Sequence, residues 1–267
     1  NPTGVERIRS RFMSGPKAGQ LAQLVHGEAT ALSSWEALRA RGPPQLVVLE
    51  MMGSIGCNEA QPEICAAARA RMASVWGAAA AAKVIFVPES LEIFVGRPPA
   101  ADAAYTAVYE HLEPGANRLV KNLRWPKGLA PDSAWTLRMG EEVPPLVSYT
   151  LPPPKPPSSS SRSYIVASFV AHFPAGPPMV GPHGAPPSPC ARDHISEIIS
   201  PRCCPGLPPS ARFGMRRRAP FPRRYAAQHA ANEWNVFVLR GNGSVLQRHR
   251  SPTAPLYVLR APGEAAR

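Results

Sequence analysis

Apolar and polar positions alternate along this chain in two different rhythms, and the rhythm changes near Pro88. Val5, Ile8, Phe12 and Met13 fall at helical spacing, which predicts a short amphipathic helix at the start. Leu21 to His26 reads as a strand stopped by Gly27, and Ser34 to Arg41 as a brief helix ahead of the breaker Gly42-Pro43-Pro44. Leu46-Val47-Val48-Leu49 is an unbroken apolar run of the kind that fills a buried parallel strand. Pro62 to Trp76 predicts a helix, with the proline in the first turn, where a missing N–H costs least. Lys83 to Val87 predicts a second buried strand. Strands alternating with helices point to an α/β fold with a parallel sheet covered on both faces.

Beyond Pro88 the helical spacing fades. Leu91–Val95, Tyr164–Phe173, Asn235–Leu239 and Leu256–Leu259 predict strands, and Ala101–Leu112 is the one clear amphipathic helix. Two low-complexity stretches interrupt this mostly β half: residues 151–163, rich in Pro and Ser, and residues 174–224, rich in Pro and Arg. Both are expected to be disordered or extended, apart from a short structured piece around Ile195–Ile199. The expected division is therefore 1–88 for the α/β part and 89–267 for the β-rich part.

Composition narrows the classes. The 267 residues are 44% hydrophobic and 18% charged, enough for one large domain or two modest ones. No run approaches the ~18 apolar residues of a membrane span; the most apolar stretch, Ala78 to Val87, is mostly alanine and contains Lys83. The net charge of +12 is lopsided: residues 1–150 carry 15 Lys and Arg against 14 Asp and Glu, while residues 151–267 carry 15 against 4. The basic half reads first as a poorly packed Arg/Pro region and second as a surface for nucleic acid or acidic partners. It lacks the regular aromatic interleaving of a nucleic-acid platform, so nucleic acid is not an expected partner. Cys57, Cys65, Cys190, Cys203 and Cys204 form no C-x-x-C pair, which argues against a disulfide scaffold and a zinc site and for a reducing, intracellular setting. No metal is expected. The first residue is Asn1 and no signal segment follows it, which suggests a processed or partial chain.

Candidate chemistry concentrates in Leu46–Glu59, L-V-V-L-E-M-M-G-S-I-G-C-N-E. An apolar strand ends in a carboxylate, Glu50, and a loop containing Gly53 and Gly56 leads to a second one, Glu59. Open α/β sheets bind ligands just beyond the carboxyl ends of their strands. Two converging carboxylates there suit a guanidinium, which is planar, always charged and carries five donors in a fixed fork. The plainer alternative makes Glu50 a turn cap and Glu59 an exposed residue before a helix.

The loop E-M-M-G-S-I-G-C-N-E resembles the double-glutamate loop of the protein arginine methyltransferases. It is most similar to the class that makes symmetric dimethylarginine, whose loop reads E-L-L-G-S-F-x-D-N-E. Gly53-Ser54 and Asn58-Glu59 match in place, and Pro62-Glu63 matches the family's P-E. The flanks fall in the same order. Asn1-Pro2 resembles the N-P after the family's second strand, and Val87-Pro88 its I-P at the exit from the nucleotide-binding sheet. Tyr105–Tyr109 and Leu119–Leu123 resemble the family's K-L-Y-N-E-V and V-V-R-L-H-N. Near the end, Glu233–Phe237 resembles V-W-Y-E-W, and His249–Thr253 with Leu256–Leu259 resembles H-N-P-T-G-R-S-Y-T-I. Cys57 departs from the pattern by replacing an acidic residue, and residues 174–224 match no part of the family's barrel.

The resemblance implies a class I methyltransferase (Rossmann-like) sheet followed by a barrel-like β domain, with S-adenosylmethionine as cofactor. Glu50 and Glu59 would be the catalytic pair that clamps the substrate guanidinium, and Trp234 an aromatic wall of the arginine channel. Glu28 would accept from the adenine amino group, with the Ala29 backbone beside it. Substrates would be proteins with Arg/Gly-rich segments, the assembly a homo-oligomer, in one class with a propeller-type partner, and the location cytoplasmic or nuclear. The resemblance places the glycine-rich cofactor turn, and the acidic residue that grips the ribose, ahead of Asn1, so a truncated chain that methylates weakly or not at all is expected. Two other classes compete: a methyltransferase-fold scaffold without catalysis, and a class I methyltransferase for another substrate, which has no need of Glu59.

Overall fold

The computed structural model describes residues 2–12, 23–49, 56, 61–96, 117–121, 132–144, 146–151, 165–175, 195–199, 212–217, 234–239, 245–249 and 256–258. The opening helix α1 spans Pro2–Phe12. It is followed by α2 (Leu32–Glu36) and a single 3-10 turn at Arg39–Arg41, which together occupy the predicted 34–41 helix. Of the strand expected at Leu21 to His26, residues 23–26 form no strand and join no sheet among the described residues, and 21–22 lie outside them.

Strand β1 (Leu46–Val48) lies parallel to β2 (Ile85–Val87), with Leu46 opposite Ile85 and Val48 opposite Val87. Between them run α3 (Gln61–Trp76) and α4 (Ala78–Ala82), so the expected strand–helix–strand unit is present. One correction concerns burial. The apolar run was expected to be covered on both faces, yet Leu46 is 51% and Val48 66% exposed, and their neighbour Ile85 is 48% exposed. Alternation explains which residues are covered: Val47 and Phe86 point to the other face, where Phe86 is buried and Val47 packs against the core.

The helix α3 meets that face with a stripe of small and flexible side chains. Cys65, Ala68 and Met72 are buried at spacings of three and four, and the small ones let the helix lie close to the strands. Arg69 on the same helix stretches over the Phe86 ring, 4.9 Å from its centroid, and donates from Nη2 to the Val84 carbonyl oxygen at 3.1 Å. Trp76 closes the far end by donating to the Arg39 carbonyl oxygen at 3.2 Å and meeting Trp35 edge-on.

The chain passes from β2 through the cis Val87–Pro88 bond into β3 (Ser90–Gly96). From here it builds two further sheets. One holds six strands in the order β12-β4-β8-β7-β3-β5, with β4 Asn117–Lys121, β5 Asp132–Arg138, β7 Ile165–His172, β8 Ile195–Ile199 and β12 Leu256–Val258. All its pairings are antiparallel except β12 with β4. The other is an antiparallel four-stranded sheet, β11-β10-β9-β6, built from β6 Leu146–Thr150, β9 Arg212–Arg217, β10 Trp234–Leu239 and β11 Val245–His249.

One of these strands falls where the sequence reading placed no element: within the stretch 174–224, R-F-G-M-R-R forms β9, hydrogen-bonded to β6 on one side and β10 on the other. β8 confirms the structured piece at Ile195–Ile199. The predicted helix Ala101–Leu112 lies outside the described residues.

Strand β7 is the centre of the packing. Its residues from Ile165 to Ala171 are buried on both faces, which requires the near absence of charge in I-V-A-S-F-V-A. Leu91, Ile93 and Val95 of β3 join Ile165, Ala167, Phe169 and Ala171 of β7 in one apolar cluster. The same cluster takes in Phe86 and the α3 stripe. Burying a side chain such as Ile93 contributes roughly 1.5–3 kcal/mol. The strand pairing that holds the β7 row in register therefore also seats α3 and β2.

Candidate functional site

The candidate site begins where β1 ends. The Leu49 backbone N–H donates to the Val87 carbonyl oxygen at 3.0 Å, extending the parallel pairing by one residue. The Leu49 carbonyl oxygen accepts from Gln61 Nε2 at 3.1 Å. Gln61 is fully buried at the first position of α3, so the two ends of the eleven-residue loop 50–60 are tied by a side chain at the loop's own exit. Glu50 and Glu59, the two candidate clamp residues, lie outside the described residues; their positions are bracketed by Leu49 and Gln61.

Within the loop, Gly56 is buried with φ +76°, a conformation in the left-handed region that favours glycine. A methyl group at this position would come within 2.7 Å of Phe169 Cγ, so the loop backbone lies directly on the β7 ring. Nothing in the sequence motif named Phe169. The one available signal was a lone large aromatic in a strand of otherwise small and branched residues.

The start of α3 carries a second acid. Glu63 is buried in the first turn, where the unpaired N–H groups of a helix favour negative charge. Two residues on, Cys65 is a buried free thiol. Burial pushes it up to about 12, with the Arg69 guanidinium lowering it and the Glu63 carboxylate raising it further. Such a thiol is protonated at neutral pH and is no nucleophile. Among the described residues no group of three or more His, Cys, Asp or Glu could hold a metal ion. No described helix is long and apolar enough to cross a membrane.

Glu28 and Ala29 sit on a tight turn closed by the Ala31 N–H on the Glu28 carbonyl oxygen at 3.0 Å. Trp35 Nε1 holds the Ala29 carbonyl oxygen at 2.7 Å, and Arg71 Nε of α3 holds that of Thr30 at 3.1 Å. The turn is thus fixed while the Glu28 side chain stays exposed. The helix α3 references both ends of the site, the loop exit through Gln61 and the Glu28 turn through Arg71. Trp234 is the first residue of β10, opposite Arg217 of β9, in the four-stranded sheet. The described residues do not bring it to the 50–60 loop.

Comparison with solved structures finds a likeness of fold. The crystal structure of PRMT6 superposes on this chain with a TM-score of 0.54, over 88% of this chain and 80% of that one, at 11% identity. The chain is similar to PRMT6 in fold. No family model matches the sequence, and no curated protein matches it. At 11% identity the arginine-methyltransferase likeness resides in the arrangement of strands and helices. The expected α/β part followed by a mostly β part is present as a mixed α/β fold, here a parallel strand pair followed by two largely antiparallel sheets.

Proposed function

We propose that the chain is a protein arginine N-methyltransferase whose Glu50 and Glu59 hold the substrate guanidinium. One observation carries the reading. On a chain with the arginine-methyltransferase fold, the double-glutamate sequence falls between the carboxyl end of a parallel strand and the first turn of the following helix. Ligands of open α/β sheets bind at that place.

Two carboxylates facing a guanidinium form charge-assisted, paired hydrogen bonds. They would orient one guanidinium nitrogen along the line of attack, and orientation of this kind can remove several kcal/mol of a barrier. They would also balance the cation's charge as the new bond forms. S-adenosylmethionine, when bound, supplies an electrophilic methyl on sulfur. The guanidinium nitrogen would take up that methyl, and Glu50, Glu59 or water would accept the proton that the nitrogen then loses. Arginine's pKa above ~12 makes prior deprotonation unnecessary to invoke.

The adenine end of that cofactor fits the residues present: an exposed acceptor, Glu28, stands on a turn that Trp35 and Arg71 hold rigid. Trp234 would wall the arginine channel, where an indole face contributes roughly 0.5–2 kcal/mol to a cation. The symmetric-dimethylarginine class, Arg/Gly-rich substrates, a homo-oligomer with or without a propeller-type partner, and a cytoplasmic or nuclear location extend the same reading. So does a division at Pro88, with the six-stranded and four-stranded sheets closing into a barrel.

Radiolabelled methyl transfer from S-adenosylmethionine to an Arg/Gly-rich peptide tests the proposal. Transfer by the chain, lowered about 10²-fold or more in Glu50→Gln and in Glu59→Gln, is expected. No transfer, or transfer that Glu59→Gln leaves intact, overturns it; the second result points to a methyltransferase for a different substrate.

A further inference from the structure

The four residues of the turn that carries Glu28, Glu28-Ala29-Thr30-Ala31, include none of the types that commonly dictate a turn. Its shape is set by three hydrogen bonds. The Ala31 N–H donates to the Glu28 carbonyl oxygen at 3.0 Å, which closes the turn. Trp35 Nε1 donates to the Ala29 carbonyl oxygen at 2.7 Å. Arg71 Nε, on α3 and forty-one residues along the chain, donates to the Thr30 carbonyl oxygen at 3.1 Å.

The first and third of these bonds meet in one peptide unit. The Thr30 carbonyl and the Ala31 N–H lie on opposite sides of a single plane, which resists twisting. Arg71 holds the oxygen of that plane, and the Glu28 carbonyl holds its hydrogen. Ala31 is also the N-cap of α2, and that cap makes no side-chain hydrogen bond that could orient the plane instead. Arg71 has a firm base, because Ala68 and Met72, before and after it on α3, are fully buried in the core. A displacement of its side chain therefore passes through one rigid peptide to the backbone of Glu28.

We propose that Arg71 is a positioning residue for Glu28, acting through the Thr30–Ala31 peptide. The inference rests on the reading of Glu28 as the acceptor for the adenine amino group of S-adenosylmethionine. It adds that selection of the base at this acceptor is set from α3. A merely structural role of Arg71 would weaken every nucleoside alike. A positioning role weakens the ligand that offers Glu28 an amino group and spares the one that does not.

The full chain is titrated calorimetrically with S-adenosylhomocysteine and with S-inosylhomocysteine, whose base carries an oxygen in place of the amino group. The wild type is expected to prefer the first about tenfold or more, as a hydrogen bond to a charged acceptor would give. Arg71→Met keeps the stem and removes the donor. Its preference falls to about twofold or less, while Kd for the inosine compound stays within about threefold. Arg71→Lys, whose ammonium still donates, restores most of the preference. Amide hydrogen exchange at Ala31, followed without ligand, rises about tenfold in Arg71→Met. A preference lost in Glu28→Ala but kept in Arg71→Met overturns this inference alone, as does an equal loss for both compounds or unchanged exchange at Ala31. A wild type that binds neither compound, or a preference that Glu28→Ala leaves intact, overturns the adenine reading and this inference with it.

Discussion

Gln61 donates its side-chain amide to the carbonyl oxygen of Leu49, twelve residues earlier, at 3.1 Å, from a fully buried side chain to a half-buried residue. The bond ties the start of α3 to the end of β1. Gln61→Leu keeps the volume but leaves the half-buried Leu49 carbonyl oxygen without this donor, which costs about 0.5–1.5 kcal/mol. Urea denaturation should show a lower midpoint with an unchanged slope. An unchanged midpoint would mean that water replaces the amide.

The Cys65 thiol makes stability depend on alkaline pH. Its ordinary value is 9.0 and burial first of all pushes it up to about 12, so the unfolded chain loses this proton earlier than the folded one. The contribution is fully present below pH 9 and is lost as pH rises toward 12, at up to about 1.4 kcal/mol per pH unit. Cys65→Ala removes this ionisation. Its unfolding free energy should fall less steeply between pH 9 and 12 than that of the wild type, whatever the two values are at pH 7. Parallel slopes would show that the thiol is reached by water.

Two glycines with positive φ should respond differently to alanine. Gly77 (φ +90°, ψ 153°) has open space around its missing side chain, so Gly77→Ala carries only the backbone cost of a region that glycine almost alone adopts, about 1–3 kcal/mol. Gly140 (φ +79°) has the Arg69 guanidinium against it, with Cζ 2.8 Å from where a Cβ would stand. Gly140→Ala must in addition displace the side chain that spans Phe86 and Val84, and thermal unfolding should rank it clearly below Gly77→Ala. Equal melting temperatures would mean that Arg69 moves aside at no cost.

The elements legible in the sequence are those whose periodicity comes from one dominant partner. The helix Pro62–Trp76 and the strands at Leu91, Tyr164 and Asn235 were predicted within a residue or two, the first three because each buries a regular stripe or run. β9 was missed because its pattern is set by a ladder on both sides, with arginines at the positions where apolar residues would have announced a strand. Residues 23–26 failed for the converse reason: local sequence favours extension, but a strand also needs a partner. The candidate site was legible as a motif, since two glutamates and their glycines are contiguous. Its supports were not, because Phe169 lies more than a hundred residues from the loop and only the folded sheet brings it to Gly56.

The same contrast between pattern and partner governs the apolar row on β1. Leu46, Val48 and Ile85 look like core residues in sequence, yet all three are about half exposed or more. Val48→Thr keeps the branched shape that suits a strand and removes little buried apolar surface, so its effect should stay within about 0.5 kcal/mol. Ile93→Ala, at a fully buried position between β5 and β7, should cost about 2–5 kcal/mol. Guanidinium denaturation of the two variants measures the difference directly. A Val48→Thr loss as large as that of Ile93→Ala would mean that this face is covered in solution, and its exposure here would then mark a surface that another element or another chain occupies.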